Sequence, residues 1–229
     1  MGKDKLKRWA AMEDFPNVIQ PELKQVLNTD HPLKGKWCKE YFRNENPIVL
    51  ELGCGRGEYT VGLAKHFPET NFIGIDIKGA RLWRGAKSAL QENLNNVAFL
   101  RTRIEFIKSF FASGEVDEIW LTFPDPQLKR RRKNKRLTNA SFLNSYMEFL
   151  KPNGLIHLKT DSHELFHYTF DLLKNNEVDI LLSTDNLYDG NREDEILSIR
   201  TYYEEKFLEK GIDITYLKFI LSNRLREIN

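Results

Sequence analysis

Residues 48–57 read Ile48-Val49-Leu50-Glu51-Leu52-Gly53-Cys54-Gly55-Arg56-Gly57. An apolar run of strand length breaks into three glycines at alternate positions, and a helical pattern over 58–67 opens directly after them. Glycine lets the backbone turn sharply there and lets a ligand sit against main-chain N–H groups at the mouth of the helix. The next apolar run, 72–77, carries Asp76, 19 residues beyond Gly57. In dinucleotide-binding folds an acid at the end of the second strand accepts hydrogen bonds from ribose hydroxyls. Strand, glycine turn, helix, strand and acid together predict a site for an adenosyl ligand. The competing reading is a structural glycine turn beside a solvated aspartate.

Outward from this stretch, short apolar runs alternate with helical patterns. Strands are predicted at 48–52, 72–77, 97–100, 118–123 and 155–159, with two later runs at 178–183 and 214–221. Helices fit the gaps at 58–67, 79–93, 104–112, 139–150, 162–175 and 193–210. Near-continuous apolar strands separated by helices argue for an α/β, doubly wound, mostly parallel sheet. Residues 1–46 precede the first strand, carry Trp9, three prolines and mixed charge, and read as an N-terminal arm. Residues 47–229 read as one domain.

Of the 229 residues, 41% are hydrophobic, enough for a core of domain size. The 35 basic and 33 acidic residues leave a net charge of only +2, but the sum hides a local bias. Lys129 to Arg136 reads KRRRKNKR, and a polyanion responds to such a local cluster rather than to the total. Cys38 and Cys54 read as two free thiols of a reducing cytoplasm, and no metal site is expected from them. No apolar run is long enough for a membrane span, and the first fifteen residues have no signal-peptide core.

The spacing G-x-G-x-G, with Glu51 two residues ahead, differs from the nicotinamide fingerprint G-x-G-x-x-G and resembles motif I of class I methyltransferases, whose ligand is S-adenosylmethionine. The resemblance implies cofactor contacts from Glu51, Gly53, Gly55, Gly57 and Asp76. It also implies that the adenine meets the end of the third strand. An Asp is usual where Arg103 stands, so either Glu105 or main-chain groups of Arg103 and Ile104 serve the adenine.

The fourth strand ends in Thr122-Phe123-Pro124-Asp125-Pro126-Gln127-Leu128-Lys129. Two prolines hold Asp125 in a stiff turn at the ligand-facing end of the sheet. T-F-P-D-P-x-x-K, a basic run and Arg136-Leu137-Thr138 together resemble the signature of the tRNA (guanine-N7)-methyltransferases. That family usually has Trp where this chain has Gln127. Two further motifs fit: Leu158-Lys159-Thr160-Asp161, and T-x-x-E-x-K-F from Thr201 to Phe207. Taken alone, the basic run is a solvated loop, Asp161 or Ser162 a helix cap, and T-x-x-E a helix face.

The resemblance implies a seven-stranded, Rossmann-like class I methyltransferase with an antiparallel last strand. It would move the methyl group of S-adenosylmethionine to N7 of a guanine in tRNA, in the variable loop. Asp125 is the catalytic candidate, beside the cofactor. Asp161, Thr201 and Glu204 would hold the guanine, and Lys129 the substrate near the donor. Arg131, Arg132, Lys133, Lys135 and Arg136 would hold RNA phosphates. Alternatives are a methyltransferase for another RNA or a small molecule, and a non-catalytic RNA-binding protein. No protein partner and no membrane are required. His163-Glu164-Leu165-Phe166-His167 matches H-E-x-x-H, but no third ligand stands at a familiar spacing, so no metal is expected.

Overall fold

The computed structural model describes residues 3–189, 196–222 and 224–227. After α1 (Lys3–Glu13) and the short strand β1 (Val18–Ile19), the alternating part begins. It runs β2 (Ile48–Leu52), α2 (Glu58–His66), β3 (Asn71–Ile75), α3 (Gly79–Gln91), β4 (Val97–Leu100), β5 (Val116–Thr122), α4 (Ala140–Tyr146), β6 (Leu150–Thr160) and α5 (His163–Asn175). β7 (Asp179–Thr184), α6 (Tyr202–Leu208) and β8 (Thr215–Ile220) complete it.

The strands form one sheet in the order β1-β4-β3-β2-β5-β6-β8-β7. β8 lies antiparallel between β6 and β7, and the other pairings are parallel. The expected seven strands and antiparallel last strand are therefore present. The eighth is β1, which pairs with Phe99 and Leu100 at the sheet edge. Two residues are too few to leave a period in the sequence.

Side chains alternate across the pleat, and the strands divide their residues between two cores. Ile48, Leu50 and Leu52 of β2 pack with Leu143 of α4 and Leu172 of α5 on one face. Val49 packs with Tyr59 of α2, Leu82 of α3 and Met12 of α1 on the other. This is the doubly wound arrangement.

Residues 3–46 lie against this frame. Arg8 of α1 stacks over Trp83 of α3 at 5.2 Å. Trp37 is fully buried, and its indole N–H donates to the Phe110 carbonyl at 2.8 Å.

Three predicted helices shorten: the one expected over 139–150 is α4, which ends at Tyr146, and β6 already begins at Leu150. The segment after β4 is a 3-10 turn, Ile104–Ser109. The long helix expected over 193–210 is α6, which starts at Tyr202; residues 193–195 lie outside the described ones. The reason for that start is a reciprocal cap. Thr201 Oγ1 accepts the Glu204 N–H at 3.2 Å, and the Glu204 carboxylate accepts the Thr201 N–H at 3.3 Å. Among the described residues no helix is long and apolar enough to cross a membrane.

Candidate active site

From β2 the chain moves outward through β3 and β4 in one direction and through β5 and β6 in the other, so the sheet order reverses between β2 and β5. Ligands of open α/β sheets bind outside the carboxyl ends of the strands at such a point. Two adjoining cavities open there, of about 380 and 560 Å³. Both are lined by Gly53 after β2, Asp76 and Ile77 after β3, Ile104 after β4, and Gln127, Lys135 and Leu137 from the segment after β5.

The smaller cavity adds Thr102, Arg103, Glu105 and Phe142. Asp76 is held rigidly at its mouth. Its Oδ2 accepts the Gly55 N–H at 3.0 Å and its Oδ1 the Lys78 N–H at 2.7 Å. Each carboxylate oxygen keeps a second lone pair, which suits a ribose diol. Ile77, Ile104, Leu137 and Phe142 supply apolar surface for a flat base. A cavity of this size, with one anchored carboxylate and an apolar wall, fits an adenosyl ligand. Arg103, Ile104 and Glu105 all face it, as the end of the third predicted strand should.

The glycine turn divides its labour. Gly53 lines both cavities, whereas Gly55 serves through the hydrogen bond that fixes Asp76. Gly57 does neither. At φ +69°, a Cβ there would stand 2.5 Å from the Phe99 ring and 3.1 Å from Gly85 Cα, so this glycine lets α2 and α3 approach. Glu51 also stands away from the cavities. Strand alternation points it at α2, where its Oε2 accepts the Thr60 N–H at 2.9 Å and both Thr60 and Thr122 donate their hydroxyls to it. Burial pushes its carboxyl up to about 7.

The larger cavity collects the motif residues. Phe123, Pro124, Asp125 and Pro126 line it from β5, and Asp161 from β6. Phe123 takes the left-handed conformation at φ +49°, and its N–H donates to the Lys159 carbonyl at 2.8 Å, tying this turn to the end of β6. Asp125 is exposed, and its Oδ1 accepts the Gln127 N–H at 3.0 Å. Ser162, not Asp161, caps α5, accepting the Leu165 N–H at 3.2 Å. Asp161 is thereby left for the cavity, half-buried, with its carboxyl raised above the usual range by that burial.

Four residues lining the larger cavity were not singled out in the sequence, Ile77, Lys78, Arg81 and Tyr203, and Phe207 stood there only as the end of T-x-x-E-x-K-F. Lys78 and Arg81 follow Asp76 into the start of α3, and proximity to the acid was their signal. T-x-x-E is itself a capping-box pattern. Read so, it starts the helix at residue 202 and puts Tyr203 and Phe207 on one face.

Thr201 and Glu204 do not line the cavities. Thr201 caps α6. Glu204 is 0% exposed, pairs with the equally buried Lys159 at 2.7 Å and accepts the Tyr188 hydroxyl. The pair fastens α6, and with it Tyr203 and Phe207, to the end of β6.

The basic run forms a 3-10 turn, Arg130–Lys135. Arg131, Arg132, Lys133 and Lys135 are exposed, and Lys135 lines both cavities. Lys129, also exposed, stands at the head of the turn and lines neither cavity. Arg136 departs from the expected phosphate-binding set because it is 1% exposed. Its guanidinium donates to the Pro126 carbonyl at 3.0 Å and to Glu164 at 2.6 Å, and stacks over Tyr168 at 4.4 Å. A planar donor fork buried among such partners is a clamp. It locks the Asp125 turn onto α5.

Comparison with known proteins agrees with this geometry. The family described as "Putative methyltransferase" matches residues 45–217. A tRNA (guanine-N(7)-)-methyltransferase of Bacteroides fragilis is 53% identical over 229 residues, covering 99% of this chain and 90% of that one. One from Porphyromonas gingivalis is 56% identical over 211 residues, 91% of this chain and 86% of its own. Among solved structures, the 16S rRNA methyltransferase KamB superposes with a TM-score of 0.62 at 14% identity, over 81% of this chain and 92% of that one, a likeness of fold. With the class I sheet, the switch-point cavities and relatives above half identity, the chain belongs to the tRNA (guanine-N7)-methyltransferase family.

Proposed function

We propose that this protein transfers the methyl group of S-adenosylmethionine to N7 of a guanine in tRNA, in the variable loop. The carrying observation is the shared crevice, where Asp76 and Lys135 of the basic turn line both cavities and Asp125 and Asp161 line the larger one. When bound, S-adenosylmethionine supplies an electrophilic methyl group on sulfur. Asp76 would hold its ribose, and the walls at Ile104 and Leu137 its adenine.

Guanine N7 presents a free lone pair, so no proton leaves before attack. The protein's task is placement and support of the positive charge that grows on the base. Asp161 accepts guanine N1–H and N2–H, which a carboxylate does with two oxygens. Asp125, on its stiff proline turn, orients the base and stabilises the developing cation. Tyr203 and Phe207 form an aromatic wall for the base, held there by Thr201 and Glu204. Lys129, Arg131, Arg132, Lys133 and Lys135 take phosphates and set the register of the RNA without reading its sequence. The free Cys38 and Cys54 suit the cytoplasm where tRNA resides.

The test is a methyl-transfer assay with bulk unmodified tRNA and labelled S-adenosylmethionine, followed by nucleoside analysis. Label in 7-methylguanosine is the expected result. Label in another nucleoside would overturn the target atom, and no transfer by folded protein would overturn the activity. Sequencing the modified tRNA tests the variable loop.

A further inference from the structure

α5 opens with His163 and His167, one helical turn apart on a common face. The chain offers no third ligand close by, but the fold does. β6 and β7 both run antiparallel to β8 and therefore parallel to each other, so the first turn of α5 and Asp185, just past the end of β7, reach the same rim of the sheet. One ligand atom from each of His163, His167 and Asp185 lies within 4.8 Å of the other two, and all three side chains are exposed.

Two imidazoles and a carboxylate are the donor set of borderline transition ions, whereas magnesium and calcium prefer oxygen throughout. Bonds of about 2.0–2.2 Å need donors roughly an ångström or so closer than this limit, a closure that exposed rotamers can make. We propose that His163, His167 and Asp185 bind one divalent transition ion of the zinc type, which clips the start of α5 to the loop after β7.

The remaining residue of the H-E-x-x-H pattern says what the ion would not do. In hydrolytic sites that glutamate is the general base. Here Glu164 is engaged by Arg136 at 2.6 Å, so the ion acts as a cross-link. The linked segments matter to the crevice. α5 begins directly after Asp161, and the loop beyond Asp185 leads to Tyr188, whose hydroxyl donates to Glu204. An ion at this rim stiffens both supports of the proposed guanine pocket.

The experiment uses the untagged full-length protein, stripped with a chelator and titrated with zinc chloride by calorimetry, with thermal unfolding followed in parallel. One saturable ion per chain and a Tm higher by a few degrees are expected, since a ligand of the folded state alone stabilises it. His167→Gln and Asp185→Asn should each weaken binding by roughly tenfold or more. Their Tm in chelator should match the parent's, because these side chains are exposed. Excess magnesium should not displace the zinc. Binding no stronger than that of a His163→Gln/His167→Gln double variant would overturn the site. Stoichiometric binding untouched by Asp185→Asn, or displaced by magnesium, would overturn the three-residue assignment.

Discussion

The ammonium of Lys159 lies 2.7 Å from the carboxylate of Glu204, and neither side chain is exposed. The lysine also donates to the carbonyls of Leu197 and Ile199, at 2.8 and 3.2 Å. One buried cation thus gathers residues 197–204 against the end of β6. Removing one member of a buried pair leaves an uncompensated charge and costs about 3–5 kcal/mol. Lys159→Met should therefore lower Tm by roughly 10 °C. Adding Glu204→Leu should restore much of that. A double variant no more stable than the single one would contradict the pairing. Loosened α6 should raise KM for tRNA more than it lowers kcat.

The basic turn and Arg136 should separate in one pair of measurements. Each phosphate contact removed lowers the slope of log affinity against log salt by ~0.7 to 0.9. Arg131→Ala, Arg132→Ala and Lys133→Ala should weaken tRNA binding, flatten the salt dependence and leave Tm unchanged. Arg136→Ala should lower Tm, because it leaves the Pro126 carbonyl and Glu164 without their clamp, and its salt slope should stay near the parent's. An Arg136 variant with unchanged Tm and a flattened slope would reverse this division.

Asp125 and Asp161 should differ in kind. Asp125→Ala, at an exposed side chain, should fold normally and lose roughly a hundredfold in kcat. A purified variant that turns over normally would sink the assignment. Asp161 holds its carboxyl above the ordinary range through burial. Its ionised form, needed to accept from guanine, is present above that raised pKa and lost as pH falls through it. Methyl transfer by the parent should therefore show an acid limb starting above the usual Asp range, and Asp161→Asn should raise KM and remove the limb.

Glu51 makes a pH prediction for stability. Its carboxyl is pushed from 4.5 to about 7 by burial, so between those values the folded state binds more protons than the unfolded one. Stability then falls as pH rises from 4.5 to 7 and is flat above, by roughly 3 kcal/mol in all. Glu51→Gln keeps an acceptor for the Thr60 N–H and should abolish that part of the slope. Denaturant midpoints of the two proteins between pH 4.5 and 8 are the check, and parallel curves would refute it.

Much of the frame was readable in one dimension because its signals are local. Apolar runs mark the strands, alternate glycines mark the turn, and Asp76 stands where a strand ends. The same locality explains the misses. β1 is two residues long and strand-like only because Phe99 and Leu100 lie beside it. T-x-x-E reads equally as a helix face or a cap, and the cap won because Glu204 finds Lys159 across 45 residues. Within KRRRKNKR nothing distinguishes Arg136 from its neighbours. Its burial is decided by Pro126, Glu164 and Tyr168.

What the sequence determined by itself is therefore the order and type of the elements, the glycine turn and the set of chemically able residues, since each follows from hydrophobic period, turn chemistry or residue type. What tertiary structure alone decided is which of those residues face the crevice. Asp161 faces it because Ser162 takes the cap; Glu51 and Glu204 leave it because strand alternation and a buried lysine turn them inward. Asp185 joins His163 and His167 for the same reason. Parallel strands deliver distant segments to one rim, and the distance between ligands across that rim is set by the sheet, not by spacing along the chain.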